Sequence, residues 1–169
     1  MDITSFMEWF LSWSNNLVQT FGYLGVFLAS FIGSATIFLP TPFLLVVFIS
    51  GSFLNPWLVG ISAAIGCVLG EFTGYGIGFA GQKALDKKHE KWLKKARKWM
   101  EKYKMFFVII LFAATPLPDD VLGILCGAIK YDVKKFFIAS FIGKLILNLS
   151  IAFGGYYGMQ WVLNVLGGV

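Results

Sequence analysis

The feature that most restricts the fold of this chain is a run of 62 residues without Asp, Glu, Lys or Arg, from Trp9 to Gly70. One membrane-spanning helix needs about 20 apolar residues, so the run can hold more than one membrane segment. Charged residues make up 14% of the chain, against roughly 25% in soluble domains. The sequence predicts an all-α polytopic protein of the cell membrane, with one membrane domain over residues 1–169. No cleaved signal peptide is expected, because the first residues lack a basic region.

The positive charge is concentrated in one segment, residues 83–104, which carries a net charge of +7. No Lys or Arg precedes Lys83, and cytoplasmic segments of membrane proteins are enriched in both. The apolar residues of the segment recur at helical spacing: Leu85, Trp92, Ala96, Trp99 and Tyr103. We therefore expect a basic amphipathic helix on the cytoplasmic face. This topological role explains the charge without a nucleic-acid partner, so none is expected.

The chain resembles itself at an offset of 76 residues. The prolines of two P-x-P motifs align, as do two pairs of glycines: Pro40 with Pro116, Pro42 with Pro118, Gly51 with Gly127, and Gly78 with Gly154. Prolines interrupt a continuous helix. Each half therefore reads as an apolar segment broken at its prolines and followed by a long helix.

The charges that flank the second broken segment predict its orientation. Residues 105–129 lie between the basic helix and a second basic stretch that contains Lys130, Lys134 and Lys135. If both flanks are cytoplasmic, this segment enters and leaves on one side, as a re-entrant hairpin. The two halves are then inverted repeats, as in many transporters. The predicted order, with a cytoplasmic N-terminus, is a transmembrane helix (9–32), hairpin 1 (36–55), a transmembrane helix (57–82), the amphipathic helix (83–104), hairpin 2 (105–129), a transmembrane helix (133–158) and a tail (159–169).

An ordinary bundle of six or seven complete spans with two proline kinks is the alternative. It would place one of the two basic flanks of 105–129 outside the cell, against the positive-inside rule.

Two opposite charges, Glu71 and Lys144, are predicted at matched depth within the membrane. Each lies 11 residues from the cytoplasmic end of its helix, or roughly 16 Å at 1.5 Å per residue. An unpaired charge there costs at least ~2.5 kcal/mol, so we expect the two to pair. The pair either joins the two halves or belongs to a polar pathway that includes Asp119 and Asp120. One of these aspartates can cap the second arm of hairpin 2, while the other can bind a proton or a cationic group.

Four glycines at intervals of four residues lie on one face of the helix 57–82: Gly66, Gly70, Gly74 and Gly78. Small residues at this spacing allow close helix packing. The partner is expected to be a hairpin or a helix of the other repeat.

The remaining residues give no sign of enzyme chemistry. Cys67 and Cys126 lie in apolar segments and are expected to be small buried residues rather than a disulfide or metal site. The single histidine, His89, falls in the basic helix. The sequence contains no nucleotide-binding or hydrolytic motif, so neither a cofactor nor a metal is expected.

Taken together, these motifs resemble the DedA/VTT superfamily of membrane proteins, also called SNARE-associated Golgi proteins, and most closely its small YqaA-type branch. The likeness covers about residues 20–158. The family's pattern G-x-x-L-G-[DE]-x-x-x-Y-x-x-G is matched by six residues of this chain, namely Gly66, Leu69, Gly70, Glu71, Tyr75 and Gly78. The proline-rich first hairpin followed by Gly51, the aspartate at Asp120 and the Gly-Lys pair at Gly143 and Lys144 also fit.

The chain departs from larger members at both hairpins. Phe43 and Leu44 stand where those members have an acidic residue, and Ala113 and Thr115 stand near the place of an arginine or lysine. Lys144 is the intramembrane cation that could take over recognition of a phosphate.

The resemblance implies transbilayer movement of lipids, either polyprenyl phosphate or phospholipid. We therefore expect a lipid translocase or scramblase whose polar groove is lined by Glu71, Asp119, Asp120 and Lys144. Two alternatives stay open, a proton-coupled transporter of a small solute and a membrane scaffold without transport. Membrane lipids, and protons in the first alternative, are the expected partners, and a homo-oligomer also stays open.

Overall fold

A computed structural model describes residues 3–35, 43–102, 104–116 and 120–166, and the described residues are almost entirely helical. The seven helices are α1 (Ile3–Phe21), α2 (Tyr23–Ala35), α3 (Phe43–Phe53), α4 (Pro56–Lys102), α5 (Met105–Ala113), α6 (Asp120–Ala128) and α7 (Val133–Leu166). Two stretches of the described chain are long and apolar enough to cross a membrane, Pro56–Gly81 within α4 and Val133–Trp161 within α7. The predicted all-helical fold is confirmed for the described residues.

The chain divides into two compact units, whose boundaries fall inside the two long helices. Unit 1 comprises Met1–Gly70 and Leu145–Val169, and unit 2 comprises Glu71–Lys144. Unit 1 therefore contains α1, α2, α3, the start of α4 and the end of α7. Unit 2 contains the rest of α4, then α5 and α6, and the start of α7.

The prediction of one transmembrane helix over 9–32 is wrong, because the chain turns sharply at Gly22. This glycine has φ +55°, a left-handed conformation that ends helices and that glycine adopts without steric cost. The turn folds α2 back onto α1 so closely that a β-carbon on Gly25 would collide with the Leu17 carbonyl. Helix α1 is amphipathic, with Phe10 and Val18 buried and a polar face exposed.

Two other predicted boundaries fall inside continuous helices. Helix α4 runs without a break from Pro56 to Lys102, so the span 57–82 and the basic segment 83–104 are one helix. Lys, Glu and Ala are good helix formers, and no proline or glycine interrupts the junction after Gly81. Helix α7 continues to Leu166, so most of the predicted tail 159–169 is helical.

The two broken segments differ in how much of each is described. In the second, α5 and α6 are separated by a turn at Ala114–Pro116 and by residues outside the described part, which include Pro118 and Asp119. In the first, α3 forms the second arm, while Pro40 and Pro42 lie outside the described residues. The helix-break-helix pattern expected for 105–129 is thus present. Whether it re-enters from one side stays a prediction.

Candidate functional site

The buried charges of unit 2 form an ion pair. The Lys144 Nζ lies 2.7 Å from the Glu71 Oε1, and the two side chains are only 5% and 4% exposed. Neither residue is near an end of its candidate span, so in a membrane the pair would lie deep in the hydrocarbon region. A charge there is costly unless it is paired. The predicted pairing of Glu71 with Lys144 is confirmed.

Glycine brings α6 against the turn of α4 that carries Glu71. A β-carbon on Gly123 would lie 3.6 Å from the Glu71 carbonyl oxygen, so the two backbones are separated by little more than van der Waals contact. Asp120 begins α6 one turn before Gly123. The first turn of α6 therefore lies beside the turn of α4 that carries Glu71. The positions of the Asp119 and Asp120 carboxylates stay predictions, as Asp119 and the Asp120 side chain are outside the described part.

Further along α6, two glycines allow direct backbone contact with α4. A β-carbon on Gly78 would overlap the Ile124 carbonyl, and one on Gly127 would overlap the Tyr75 carbonyl. Gly66 and Gly70 pack in the same way in unit 1, against the α2 backbone at Phe27 and Phe31. Gly66, Gly70 and Gly78 thus each lie in close contact with a neighbouring helix. Gly74 is also buried.

An aromatic cluster packs the start of α7 against α4 within unit 2. Phe136 packs against Phe72 and Tyr75, with ring centroids 5.8 and 5.2 Å apart. The Tyr75 hydroxyl donates a hydrogen bond of 2.7 Å to the Tyr131 carbonyl oxygen. Burial raises the pKa of the Tyr131 phenol above its ordinary value, and the neighbouring Cys126 and Asp132 add to the rise. Tyr131 therefore stays neutral and adds no charge near the site.

Unit 1 repeats several of these contacts at positions 77 residues away. Its counterpart of the ion pair is Cys67 with Asn148, whose amide nitrogen lies 3.9 Å from the Cys67 sulfur. Cys67 stands 77 residues before Lys144, and Asn148 stands 77 residues after Glu71. Both pairs are buried, but only the pair in unit 2 is charged. Sequence reasoning missed Asn148, although an amide at membrane depth is itself a signal of a polar site.

The glycine contacts of the two units match as well. In unit 1, a β-carbon on Gly51 would overlap the Ala152 carbonyl, and one on Gly155 would overlap the Phe48 carbonyl. Gly51 and Phe48 of α3 correspond to Gly127 and Ile124 of α6, which lie 76 positions later. Ala152 and Gly155 of α7 correspond to Tyr75 and Gly78 of α4, which lie 77 positions earlier. The sequence comparison aligned Gly78 with Gly154, whereas the contacts relate it to Gly155, the next residue.

Metal and cysteine chemistry find no support in the described residues. No group of three or more metal-ligating side chains occurs among them. Cys67 and Cys126 are both buried thiols, as expected for small residues in apolar segments. The His89 side chain, like most of those in the basic segment, is outside the described part.

Helices of this length and hydropathy, with an ion pair buried between two of them, are consistent with an integral membrane protein. Comparison with known proteins agrees. The VTT domain matches residues 39–157. The chain belongs to the DedA/VTT family.

Relatives of similar length occur in archaea and bacteria. The uncharacterized protein MJ0201 of Methanocaldococcus jannaschii is 32% identical over 144 residues, which cover 83% of this chain and 88% of the relative. The inner membrane protein YqaA of Escherichia coli is 24% identical over 145 residues, or 85% of this chain and 97% of the relative. The likeness to YqaA agrees with the predicted YqaA-type branch. No solved structure matches the chain.

Proposed function

We propose that this protein moves lipids between the leaflets of the membrane, as a translocase or scramblase. The observation that carries the proposal is the buried ion pair of Glu71 and Lys144. A pair used only to join helices could be replaced by apolar residues of similar volume, often without loss of stability. Intramembrane ionisable residues instead tend to mark a pathway for a polar or charged substrate.

In the proposed mechanism, Lys144 is the cation that meets the headgroup phosphate. Its ammonium group is held by the Glu71 carboxylate when no lipid is present, and a phosphate oxygen competes for it as the headgroup passes. Asp120 begins α6, beside Glu71, and Asp119 precedes it in the sequence. In this mechanism the two acidic residues hold the tip in shape or accept a proton. The acyl tails stay in the bilayer throughout.

We further propose that the fold is an inverted repeat of α2 to α4 and α5 to α7. The equivalent polar pairs and the equivalent glycine crossings, at offsets of 76 and 77 residues, support this proposal. Two helix caps support it as well. The Asn55 Oδ1 accepts the Trp57 N–H at the start of α4, and the Asp132 Oδ1 accepts the Lys135 N–H at the start of α7.

In this arrangement α2, rather than residues 36–55 alone, is the entering arm of hairpin 1. The Tyr23 hydroxyl accepts a hydrogen bond from the Asn55 N–H, so α2 and α4 begin side by side. Their contacts then advance together, from Phe27 at Gly66 to Phe31 at Gly70. If the basic end of α4 is cytoplasmic, both helices start outside, and α1 and the N-terminus lie outside too. The earlier prediction of a cytoplasmic N-terminus rested on one span over 9–32.

Labelling of single cysteines in intact cells tests this topology. Ser5 and Lys98 are exposed, and both native cysteines are buried, so the background should be low. A membrane-impermeant maleimide should label Ser5→Cys in intact cells and Lys98→Cys only after lysis. Labelling of Ser5→Cys only after lysis would restore the cytoplasmic N-terminus and reject this arrangement of hairpin 1.

Lipid movement is tested with purified protein in liposomes that contain a phospholipid labelled on its acyl chain. Dithionite bleaches only the labelled lipid in the outer leaflet, so fluorescence falls partially when lipids do not cross the bilayer. When the protein moves labelled lipid from the inner to the outer leaflet, the loss of fluorescence becomes nearly complete. The wild-type protein should accelerate this loss, and Lys144→Gln should slow it by about tenfold or more, the effect of a 1.4 kcal/mol change in the barrier. Lys134→Gln is the matched control, because it removes an exposed cation of the same helix.

The exchanged pair, Glu71→Lys with Lys144→Glu, separates a pathway from a structural bridge. It keeps two opposite charges face to face but moves the cation to α4. Loss of lipid movement with a folded protein supports the pathway, whereas full activity of both this variant and Lys144→Gln rejects it. No acceleration by the wild-type protein rejects the lipid proposal. Solute uptake driven by a pH gradient would then favour the transporter, and no transport at all would favour the scaffold.

A further inference from the structure

Unit 1 contains an aromatic cavity that the ion pair does not explain. It has a volume of about 420 Å³ and lies where α3 ends and α4 begins. Four aromatic rings line it: Phe53, Trp57, Phe153 and Tyr156. Trp57 and Phe153 make an edge-to-face contact, with an interplanar angle of 86° and centroids 5.1 Å apart. Phe53 and Trp57 are more than half exposed.

The electrostatics of this cavity favour a cation. Residues 1–70 and 145–169, which make up unit 1, contain no Lys or Arg, and their only charged residues are Asp2 and Glu8. Ring faces carry negative potential and attract ammonium groups. The cavity wall also includes the last turn of α3, and carbonyl groups at a helix C-terminus carry partial negative charge.

The start of α4, on the opposite wall, offers little to an anion. Pro56 has no N–H group. The N–H groups of Trp57 and Val59 are already bonded to the Asn55 side chain and carbonyl. Most of the N–H donors that would otherwise attract a phosphate to this helix N-terminus are therefore already hydrogen-bonded. The cavity is lined by aromatic rings and lacks a cationic side chain from its own unit.

We propose that this cavity binds the ammonium group of a phospholipid headgroup, such as that of phosphatidylcholine or phosphatidylethanolamine. In the topology proposed above, the start of α4 lies at the outer face, where headgroups are abundant and a weak site is sufficient. The site would recruit zwitterionic lipid for the proposed movement, and it rests on that proposal for its purpose. Its test measures binding alone, so the two proposals can fail separately.

Aromatic side chains also anchor proteins at the membrane surface without binding a ligand, and the test must distinguish this case. The protein is labelled with fluorotryptophan and followed by fluorine NMR in a nonionic detergent. The Trp57 signal is assigned from the Trp57→Leu variant. Trp161, which is also exposed but does not line the cavity, is the internal control. Choline is titrated against its neutral isostere, in which carbon replaces the nitrogen.

The proposal expects a saturable shift of the Trp57 signal with choline, no comparable shift with the isostere and none at Trp161. Phe153→Leu should weaken the apparent affinity by about three- to fivefold, the effect of one ring in an exposed cation–π site, while Tyr156→Phe keeps the ring and should change little. A short-chain phosphatidylcholine should compete better than phosphatidylglycerol of the same chain length. Equal responses to choline and the isostere, or equal shifts at Trp57 and Trp161, would overturn the proposal in favour of simple anchoring.

Discussion

Removing one charge of the buried pair should destabilise the protein far more than removing both. The Lys144 ammonium lies 2.7 Å from the Glu71 carboxylate, and both side chains are almost fully buried. Glu71→Gln leaves the ammonium deep in the protein without this counter-charge. Breaking a buried pair in this way costs about 3 kcal/mol or more, and placing a lysine near the centre of a membrane helix costs a similar amount.

The cost converts into a measurable change in the unfolding temperature. For a chain of this length, each kcal/mol shifts the midpoint by about 2–4 °C, so a loss of about 3 kcal/mol corresponds to about 6–12 °C. Lys144→Gln should have a similar effect. The double variant, Glu71→Gln with Lys144→Gln, leaves two amides that can bond to each other. It should recover most of the stability, so its loss should be smaller than that of either single variant and far below the sum of about 6 kcal/mol.

Thermal unfolding followed by tryptophan fluorescence in detergent measures all four proteins of the cycle. Lys134→Gln, the loss of an exposed charge from the same helix, should change the midpoint little. If the double variant is as unstable as the sum of the two single variants, Glu71 and Lys144 are not coupled. That result would show that the Glu71 carboxylate does not neutralise the Lys144 ammonium, whatever the effect on lipid movement.

Three further substitutions, with Gly76→Ala as a control, test individual contacts. Gly127→Ala should cost about 1–3 kcal/mol in thermal unfolding, because its β-carbon would overlap the Tyr75 carbonyl; Gly76→Ala, with open space around it, should be neutral or slightly stabilising. Gly22→Ala should cost about 1 kcal/mol from its positive φ, and a stabilised variant would show that the turn is not left-handed. Tyr75→Phe should cost about 0.5–1.5 kcal/mol through loss of the bond to Tyr131, and an unchanged midpoint would discount that bond.

The charged residues at membrane depth were predictable from the sequence, because burying a charge in the bilayer has a high free-energy cost. Glu71 and Lys144 stand out in apolar segments, and their opposite signs and matched depth lead directly to the pairing. The glycines were predictable for a similar reason, since a spacing of four places small residues on one helix face. The neighbour that each glycine contacts depends on the tertiary fold and cannot be predicted from the local sequence.

Helix boundaries are hard to predict where the same composition is compatible with two different structures. Residues 9–32 are apolar enough for a span, and only the left-handed conformation of Gly22 divides them into α1 and α2. Glycine occurs 19 times in the chain, so its presence alone does not identify a turn. At the other boundary, the change from apolar to basic residues after Gly81 marks a change of environment, while the helical backbone of α4 continues through it.

The one-residue difference between the two offsets explains why the sequence did not connect Glu71 with Asn148. At the offset of 76, Glu71 aligns with Leu147 and Lys144 aligns with Val68, so the polar pairs appear unrelated. The contacts require an offset of 77 for the long helices, because the link between α6 and α7 is longer than that between α3 and α4. With this correction, an ion pair stands in unit 2 where a neutral cysteine-amide contact stands in unit 1. Helix association needs no charge at either place, since the neutral pair is buried equally well. The charge of Glu71 and Lys144 is therefore better explained by function than by packing.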